Sequence, residues 1–467
     1  MKKYIDLIEQ TFEFPQEEFR VEKNELLFNE VPLMPIIEKY GTPLKLTYLP
    51  KIGENIKYAR RIFNNAIKKH NYSGSYTYCY CTKSSHFSFV LEEALKHGAH
   101  IETSSSYDIP IIRKLHEAGK IDKDLFIVCN GFKRPLYREY ISELLNDGFK
   151  NTIPVLDNLN ELSHYEEHVK KSYKVGIRIA ADEEPNFEFY TSRLGIRYSD
   201  VNTLYREQIK PSKKAKLKLL HFFINTGIRD TAYYWSELSR FIFKYCELKK
   251  ECPELDTIDI GGGFPIKTSM QFEFDYKYMA EQIVENVKWI CGKNNVPVPN
   301  IFTEFGSFTV GESGAALYSI MDQKLQNDKE LWYMIDGSFI THLPDVWGLS
   351  QKYIMLAVNK WDDIYHKVNL GGLTCDSQDY YNSESHSSEV FLPMLDPKNK
   401  KDKLYIGFFH TGAYQESLGG YGGIQHCLIP APQHVLVDKD KNGEFTTRLF
   451  AAEQNSDGML QLLGYSG

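Results

Sequence analysis

Residues 76–103 read YTYCYCTKSSHFSFVLEEALKHGAHIET, and this stretch carries the plan of the fold. Tyr76–Cys81 is an aromatic and apolar run of the length of a buried strand. Phe87, Val90, Leu91, Ala94 and Leu95 then recur at helical spacing. Ser84 or Ser85 is expected to cap that helix, and Gly98 to close it. Ala99–Thr103 returns to strand character. A strand, a helix and a second strand in succession form a βαβ unit, and βαβ units build parallel sheets. The alternation continues through Leu125–Cys129, Thr152–Leu156, Lys174–Ile179, Leu217–Phe223, Thr257–Ile260 and Asn300–Thr303. With Tyr76–Cys81 and Ala99–Thr103 that makes eight strands, which predicts an α/β chain built on a closed (β/α)8 TIM barrel.

The ends of those strands are polar. They carry Lys83, Glu102, Asn130, Asp157, Arg178, His221, the run Gly261-Gly262-Gly263, and Glu304. A charged residue past one buried strand reads as a solvated loop position. In a barrel, though, all eight C-terminal ends open on one mouth, and that mouth is where barrel enzymes place their active sites.

The chain has 467 residues, 42% hydrophobic and 25% charged. It outruns a single barrel of about 250 residues. From about Leu331 the segments turn short and β-rich: Leu331–Met334, Lys352–Val358, Lys403–Phe409, His434–Val437 and Phe445–Phe450. Asn442-Gly443 is a hairpin turn signal. Extended pieces at Phe12–Phe14 and Glu25–Val31 are expected to join them. The expected division is a barrel over 44–318 and a discontinuous, mainly antiparallel β-domain from 1–43 and 319–467. A formal charge of −7 argues against nucleic-acid wrapping or docking on an anionic membrane. No apolar run reaches the ~18 residues of a membrane span, and the start lacks an export signal, so a cytoplasmic protein is expected. Eight cysteines without a C-x-x-C pair fit reduced thiols, mostly buried as small apolar residues.

Lys83 is the most informative single position. A lysine aimed into a barrel mouth can form a Schiff base once its surroundings lower its pKa. The glycine run allows backbone N–H groups to approach an anion closely, as phosphate binding requires, but it lacks the G-x-G-x-x-G spacing of a dinucleotide site.

Lys83, His221 within His221-Phe222-Phe223-Ile224-Asn225-Thr226-Gly227, the glycine run, Glu304-Phe305-Gly306, Cys375-Asp376-Ser377 and Gly412-Ala413-Tyr414 occur in this order. Together they resemble the fold-type III pyridoxal-phosphate enzymes, the group of alanine racemase and the ornithine, diaminopimelate and arginine decarboxylases. Two segments, Leu343–Gly348 and Gly412–Glu416, are similar to those of the biosynthetic arginine decarboxylases. The resemblance implies pyridoxal 5′-phosphate as cofactor, with Lys83 as its covalent anchor. It gives His221 the ring face, Thr226 and Gly261, Gly262 and Gly263 the phosphate, and Glu304 the pyridine nitrogen. Tyr414 resembles the tyrosine that bonds the phosphate, and Glu102, Asp108 and Arg178 fall where the family organises the mouth. Cys375 resembles the cysteine that returns a proton to the decarboxylated carbon.

The resemblance also bears on substrate and assembly. Asp376, following that cysteine, matches enzymes acting on basic substrates, and a carboxylate there can pair bidentately with a guanidinium. Asp345 is a second substrate-binding candidate. No residue is singled out as a metal ligand, and a magnesium requirement stays open. The implied activity is decarboxylation of L-arginine to agmatine for polyamine and spermidine synthesis, by a homodimer with shared active sites. Ornithine, lysine, diaminopimelate or carboxynorspermidine are the alternative substrates, and a non-catalytic regulatory homologue is the alternative of another class. The chain departs from the family in two places. Ser307 stands where the family commonly has a phosphate-binding arginine, and Ser84-Ser85 stands where Ala-Asn is common.

Overall fold

A computed structural model of the chain describes residues 2–8, 11–181, 192–396, 398–399 and 402–465. The chain divides into two compact units, one of Gly53–Pro265 and Phe274–Thr309, the other of Met1–Ile52, Ile266–Glu273 and Val310–Gly467.

The first unit is a closed barrel of eight parallel strands: Tyr76–Cys81, His100–Thr103, Ile127–Cys129, Thr152–Leu156, Tyr173–Ile179, Ala215–Phe222, Thr257–Asp259 and Asn300–Phe305. Each strand pairs with its neighbours in chain order, and the eighth closes on the first through pairs such as Glu304 with Cys79. Strands buried on both faces need near-continuous apolar runs, which is why these segments read as they do. Cys79, Val128, Ile153, Val155, Leu219 and Phe302 pack as one buried cluster. Gly176 leaves room for them, since a Cβ there would sit 3.0 Å from Leu219 Cδ2 and 3.1 Å from Val155 Cγ2.

The helix after the first strand spans Ser88–Lys96, and its cap differs from the expected one. Ser84 lies in a tight turn, Thr82–Ser84, and its hydroxyl donates to Cys81 O at 2.8 Å instead of capping. Gly98 closes the helix in the left-handed region, at φ +75°. Longer barrel helices do carry side-chain caps: Thr231 accepts from Tyr234 N, and Asp275 from Tyr278 N.

The second unit holds a three-stranded sheet near the N-terminus and a larger ten-stranded sheet. Most of its pairs are antiparallel, but Leu44–Tyr48 runs parallel to Gln433–Lys439, and Glu330–Ile335 parallel to Tyr365–Gly371. The expected boundaries at 44 and 318 therefore fall elsewhere. Leu44–Tyr48 and the strand Gly314–Gln326 pair with each other, inside this unit. Phe12–Phe14 forms no strand, whereas Glu25–Phe28 and Val31–Pro32 do. The segment Ile266–Glu273 also belongs here. Met270 is buried in this unit's core, Lys267 Nζ lies 2.7 Å from Glu18 Oε1, and His410 Nδ1 donates to Lys267 O at 2.6 Å. Among the described residues no helix is long and apolar enough to cross a membrane.

Burial acts on Glu384 in this unit. Its side chain is 9% exposed and lies 3.4 Å from His386 Nδ1, and desolvation pushes its carboxyl up to about 8. The folded state then keeps a proton that the unfolded chain releases near pH 4.5, so stability falls as pH rises from there to about 8. Glu384→Gln should flatten that slope, by up to about 1.4 kcal/mol per pH unit, in urea unfolding from pH 5 to 8. A variant with the wild-type slope would contradict the assignment.

Candidate active site

The turn Thr82–Ser84 follows the first strand directly and carries Lys83 at the strand's C-terminal end. Asp108 pins that turn: its Oδ1 accepts from Thr82 Oγ1 at 3.0 Å, and its Oδ2 from the backbone of Ser104 and Ser105 at 2.9 Å. Lys83 Nζ lies 3.3 Å from Glu102 Oε2 on the second strand. Asn130, just past the third strand, donates from Nδ2 to Glu102 Oε1 at 3.1 Å and to Glu304 Oε1 at 2.6 Å. On the other side of Glu304, His221 Nε2 reaches Oε2 at 3.1 Å. Lysine, two carboxylates, an amide and an imidazole thus form one connected array across the strand ends.

Its electrostatics are set by burial. Glu102 is fully buried and Glu304 is 5% exposed. Desolvation raises the Glu102 carboxyl, with Lys83 opposing and Glu304 adding to the rise. For Glu304 the same desolvation is overcome by the charge and hydrogen bond of His221 and by Lys83, which hold the carboxyl down at about 2. An ionised carboxylate only accepts, so His221 Nε2 carries the hydrogen in this bond. Asp259, at the end of the seventh strand, is also fully buried; desolvation and the neighbouring Glu304 charge raise its carboxyl well above the usual range. Of this pair, Asp259 keeps its proton and Glu304 bears the charge.

A second cluster adjoins the first. The loop after His221 and the glycine run press together so closely that a Cβ on Gly263 would lie 2.6 Å from Gly227 Cα. Both glycines are left-handed, at φ +73° for Gly227 and φ +102° for Gly263. A Cβ on Gly262 would meet Glu304 O at 2.0 Å. Thr226 Oγ1 and Asn225 Oδ1 are buried without a partner among the described residues. Arg229 Nε donates to Thr226 O at 3.2 Å, which sets a guanidinium beside this loop. A backbone cradle, an unpaired hydroxyl and an adjacent cation suit an anion such as a phosphate. A buried carboxylate whose surroundings favour its charged form suits a ring nitrogen that must stay protonated, and Lys83 supplies an amine at the same mouth. These residues fit pyridoxal phosphate.

The sequence model of the pyridoxal-dependent decarboxylase family, pyridoxal binding domain, matches residues 59–311. The chain belongs to this family. Its curated relatives include the biosynthetic arginine decarboxylase of Prochlorococcus marinus strain MIT 9215, 23% identical over 91% of this chain and 83% of that protein. Arginine decarboxylase 2 of Arabidopsis thaliana is 23% identical over 85% of this chain and 69% of that protein. Among solved structures, the biosynthetic arginine decarboxylase of Campylobacter jejuni superposes with a TM-score of 0.80 at 19% identity, covering 100% of this chain and 91% of that one. Diaminopimelate decarboxylase from M. jannaschii in complex with L-lysine gives 0.78 at 18% identity, covering 95% of this chain and 97% of that one.

Within this family's barrel, Lys83, Glu102, His221, Thr226, Gly261, Gly262, Gly263 and Glu304 all stand at the mouth. Arg178, on the fifth strand, lies with its guanidinium 5.8 Å from the Phe223 ring centroid. Cys375, Asp376, Asp345 and Tyr414 lie in the second unit. Cys375 is exposed, with its Sγ 3.4 Å from Cys427 Sγ. Asp345 is 8% exposed, and its Oδ2 accepts from Gln415 Nε2 at 2.7 Å. Tyr414 adopts a left-handed backbone, φ +69°, at the start of the helix Gln415–Gly419.

Sequence reasoning listed Asn130 only as a mouth residue and missed its bridge between two carboxylates. It also missed Asp259 and Arg229. Arg229 had a signal, a basic residue three positions after Thr226, and the missing family arginine at Ser307 made such a substitute worth seeking. Gly263→Ala should weaken pyridoxal-phosphate binding by about tenfold or more, because the side chain fills the cradle and strains the backbone. An absorbance titration reads this, and unchanged affinity would refute the cradle.

Proposed function

We propose that the protein decarboxylates L-arginine to agmatine and CO2, with pyridoxal phosphate as cofactor, for polyamine synthesis. The observation that carries the chemistry is the buried Glu304, held ionised at the same mouth as Lys83. Arginine is favoured over other amino acids by the relatives that bear that name and by Asp376 beside Cys375.

When bound, pyridoxal phosphate supplies a ring that accepts the electron pair left behind by departing CO2. The protein's residues do the rest. Lys83 would hold the cofactor covalently through its amine. Glu304 keeps a proton on the ring nitrogen, with His221 and Asn130 fixing its carboxylate in place. Thr226, Arg229 and the amides of the glycine run bind the phosphate, and Arg229 takes the part of the arginine absent at Ser307. Glu102, with Oε2 3.3 Å from Lys83 Nζ, positions the lysine amine.

The proton that replaces CO2 comes from Cys375. An ordinary thiol is mostly protonated at neutral pH and so has a proton to give. Asp376 pairs with the substrate guanidinium. Asp345 is engaged by Gln415, so we assign it to joining the Pro344–Gly348 turn to the helix at Gln415 rather than to substrate. Both thiol and carboxylate serve the barrel of a second subunit, which makes the enzyme a homodimer with shared sites; its proposed location is the cytoplasm. No magnesium role is proposed. The clusters able to hold a metal among the described residues contain histidine or cysteine, whereas magnesium prefers all-oxygen donors.

With arginine as substrate, Lys83→Ala and Cys375→Ala should each lose turnover. Mixed and reassociated, they should regain about a quarter of wild-type activity, since half the dimers carry one intact site. Wild-type enzyme should release CO2 faster from arginine than from ornithine, lysine or diaminopimelate. A mixture that stays inactive would refute the shared site, and a faster rate on another amino acid would refute arginine.

A further inference from the structure

Cys375 and Cys427 are the exposed cysteines among eight, and the other six are buried. Their sulfurs stand 3.4 Å apart, and His426 joins them so that one donor atom from each residue lies within 4.8 Å of the others. Asp376 Oδ2 lies 3.9 Å from His426 Nε2. We propose that Cys375, Cys427 and His426 form a binding site for a thiolate-seeking divalent cation of the zinc class, with water completing its coordination.

The dimensions suit that ion. A tetrahedron with Zn–S bonds of about 2.3 Å has a sulfur–sulfur edge of about 3.7 Å, near the observed separation. A disulfide needs about 2.05 Å, a much larger closure, and would leave the imidazole unused. The donor set, two thiolates and one imidazole, is a set zinc takes and magnesium does not.

Both segments that present the donors are braced. Asp379 Oδ2 accepts from Thr374 N at 3.0 Å and from Thr374 Oγ1 at 2.7 Å, while Asp379 Oδ1 accepts from Phe339 N at 2.7 Å. Asp376 Oδ1 accepts from Gln378 N at 2.8 Å. On the facing segment, Cys427 and Leu428 are both left-handed, at φ +55° and φ +53°, and Leu428 N donates to Gln425 O at 3.0 Å. The donors are therefore held before the ion arrives, and their exposure leaves them open to water.

Binding displaces the two thiol protons to solvent and transfers no electrons. The metal then occupies the thiol that, on the reading above, returns the proton to substrate. This consequence rests on that reading; the site itself does not. Bound zinc slows the enzyme, and a chelator restores it.

The test uses reduced, chelator-washed holoenzyme titrated with cobalt(II) and then with zinc(II). One cobalt per chain should bind, with the visible d–d absorption of tetrahedral thiolate coordination, and zinc should abolish that absorption. Zinc should slow CO2 release by about a hundredfold, the contribution of a general acid. Cys427→Ser and His426→Ala should lose the cobalt spectrum and zinc sensitivity while retaining decarboxylation without metal, which also shows that they fold. No tetrahedral spectrum in the wild type, or one that survives in Cys427→Ser, overturns the site. A cobalt spectrum with unaltered turnover under zinc upholds the site and overturns Cys375 as the proton donor.

Discussion

A carboxylate buried in a barrel is unfavourable unless its charge is matched, and Glu304 is matched on both oxygens. His221 serves one and Asn130 the other, and the same Asn130 amide reaches Glu102, which faces Lys83. This single anion accounts for much of the mouth. Added to the larger effect of burial, its charge raises the neighbouring Asp259 carboxyl and the Glu102 carboxyl. The eight-stranded closure brings these residues together, because they lie far apart in sequence and meet only at strand ends.

The barrel was legible because its signal is local. Tyr76–Cys81 and Thr152–Leu156 have the bounds read from their apolar runs, since burial on both faces demands continuous apolar residues. The expected Ser84 cap failed because a serine hydroxyl satisfies a nearby carbonyl as readily as a helix N–H. The unit boundaries were misplaced for another reason. Leu44–Tyr48 is buried along its whole length, like barrel strands, and only its partners, Gly314–Leu317 and Gln433–Val437, reveal its sheet. Ile266–Glu273 is too short to show any periodicity, and Met270 alone marks its burial.

The site divided along the same line. Lys83, His221, Glu304 and the glycine run follow apolar strands directly, so position in the pattern exposes them. Asn130 follows a strand as well, but an amide that bridges two carboxylates looks the same in sequence as one that faces solvent. Asp259 gives no sign of its proton until Glu304 is placed beside it. Cys427 and His426 sit in an irregular segment whose partner, Cys375, lies far away in the chain. Pairings across loops of that separation are set by tertiary structure.

The most direct test of the account is the turnover of Glu304→Gln. Its amide keeps the shape but cannot hold a charge, so the ring nitrogen of bound pyridoxal phosphate would lose the partner that keeps it protonated. The expected result is a kcat lower by about a hundredfold or more, with the cofactor still bound through Lys83 and seen by its visible absorbance. Wild-type kcat with bound cofactor would contradict the claim that an ionised Glu304 is the centre of this site.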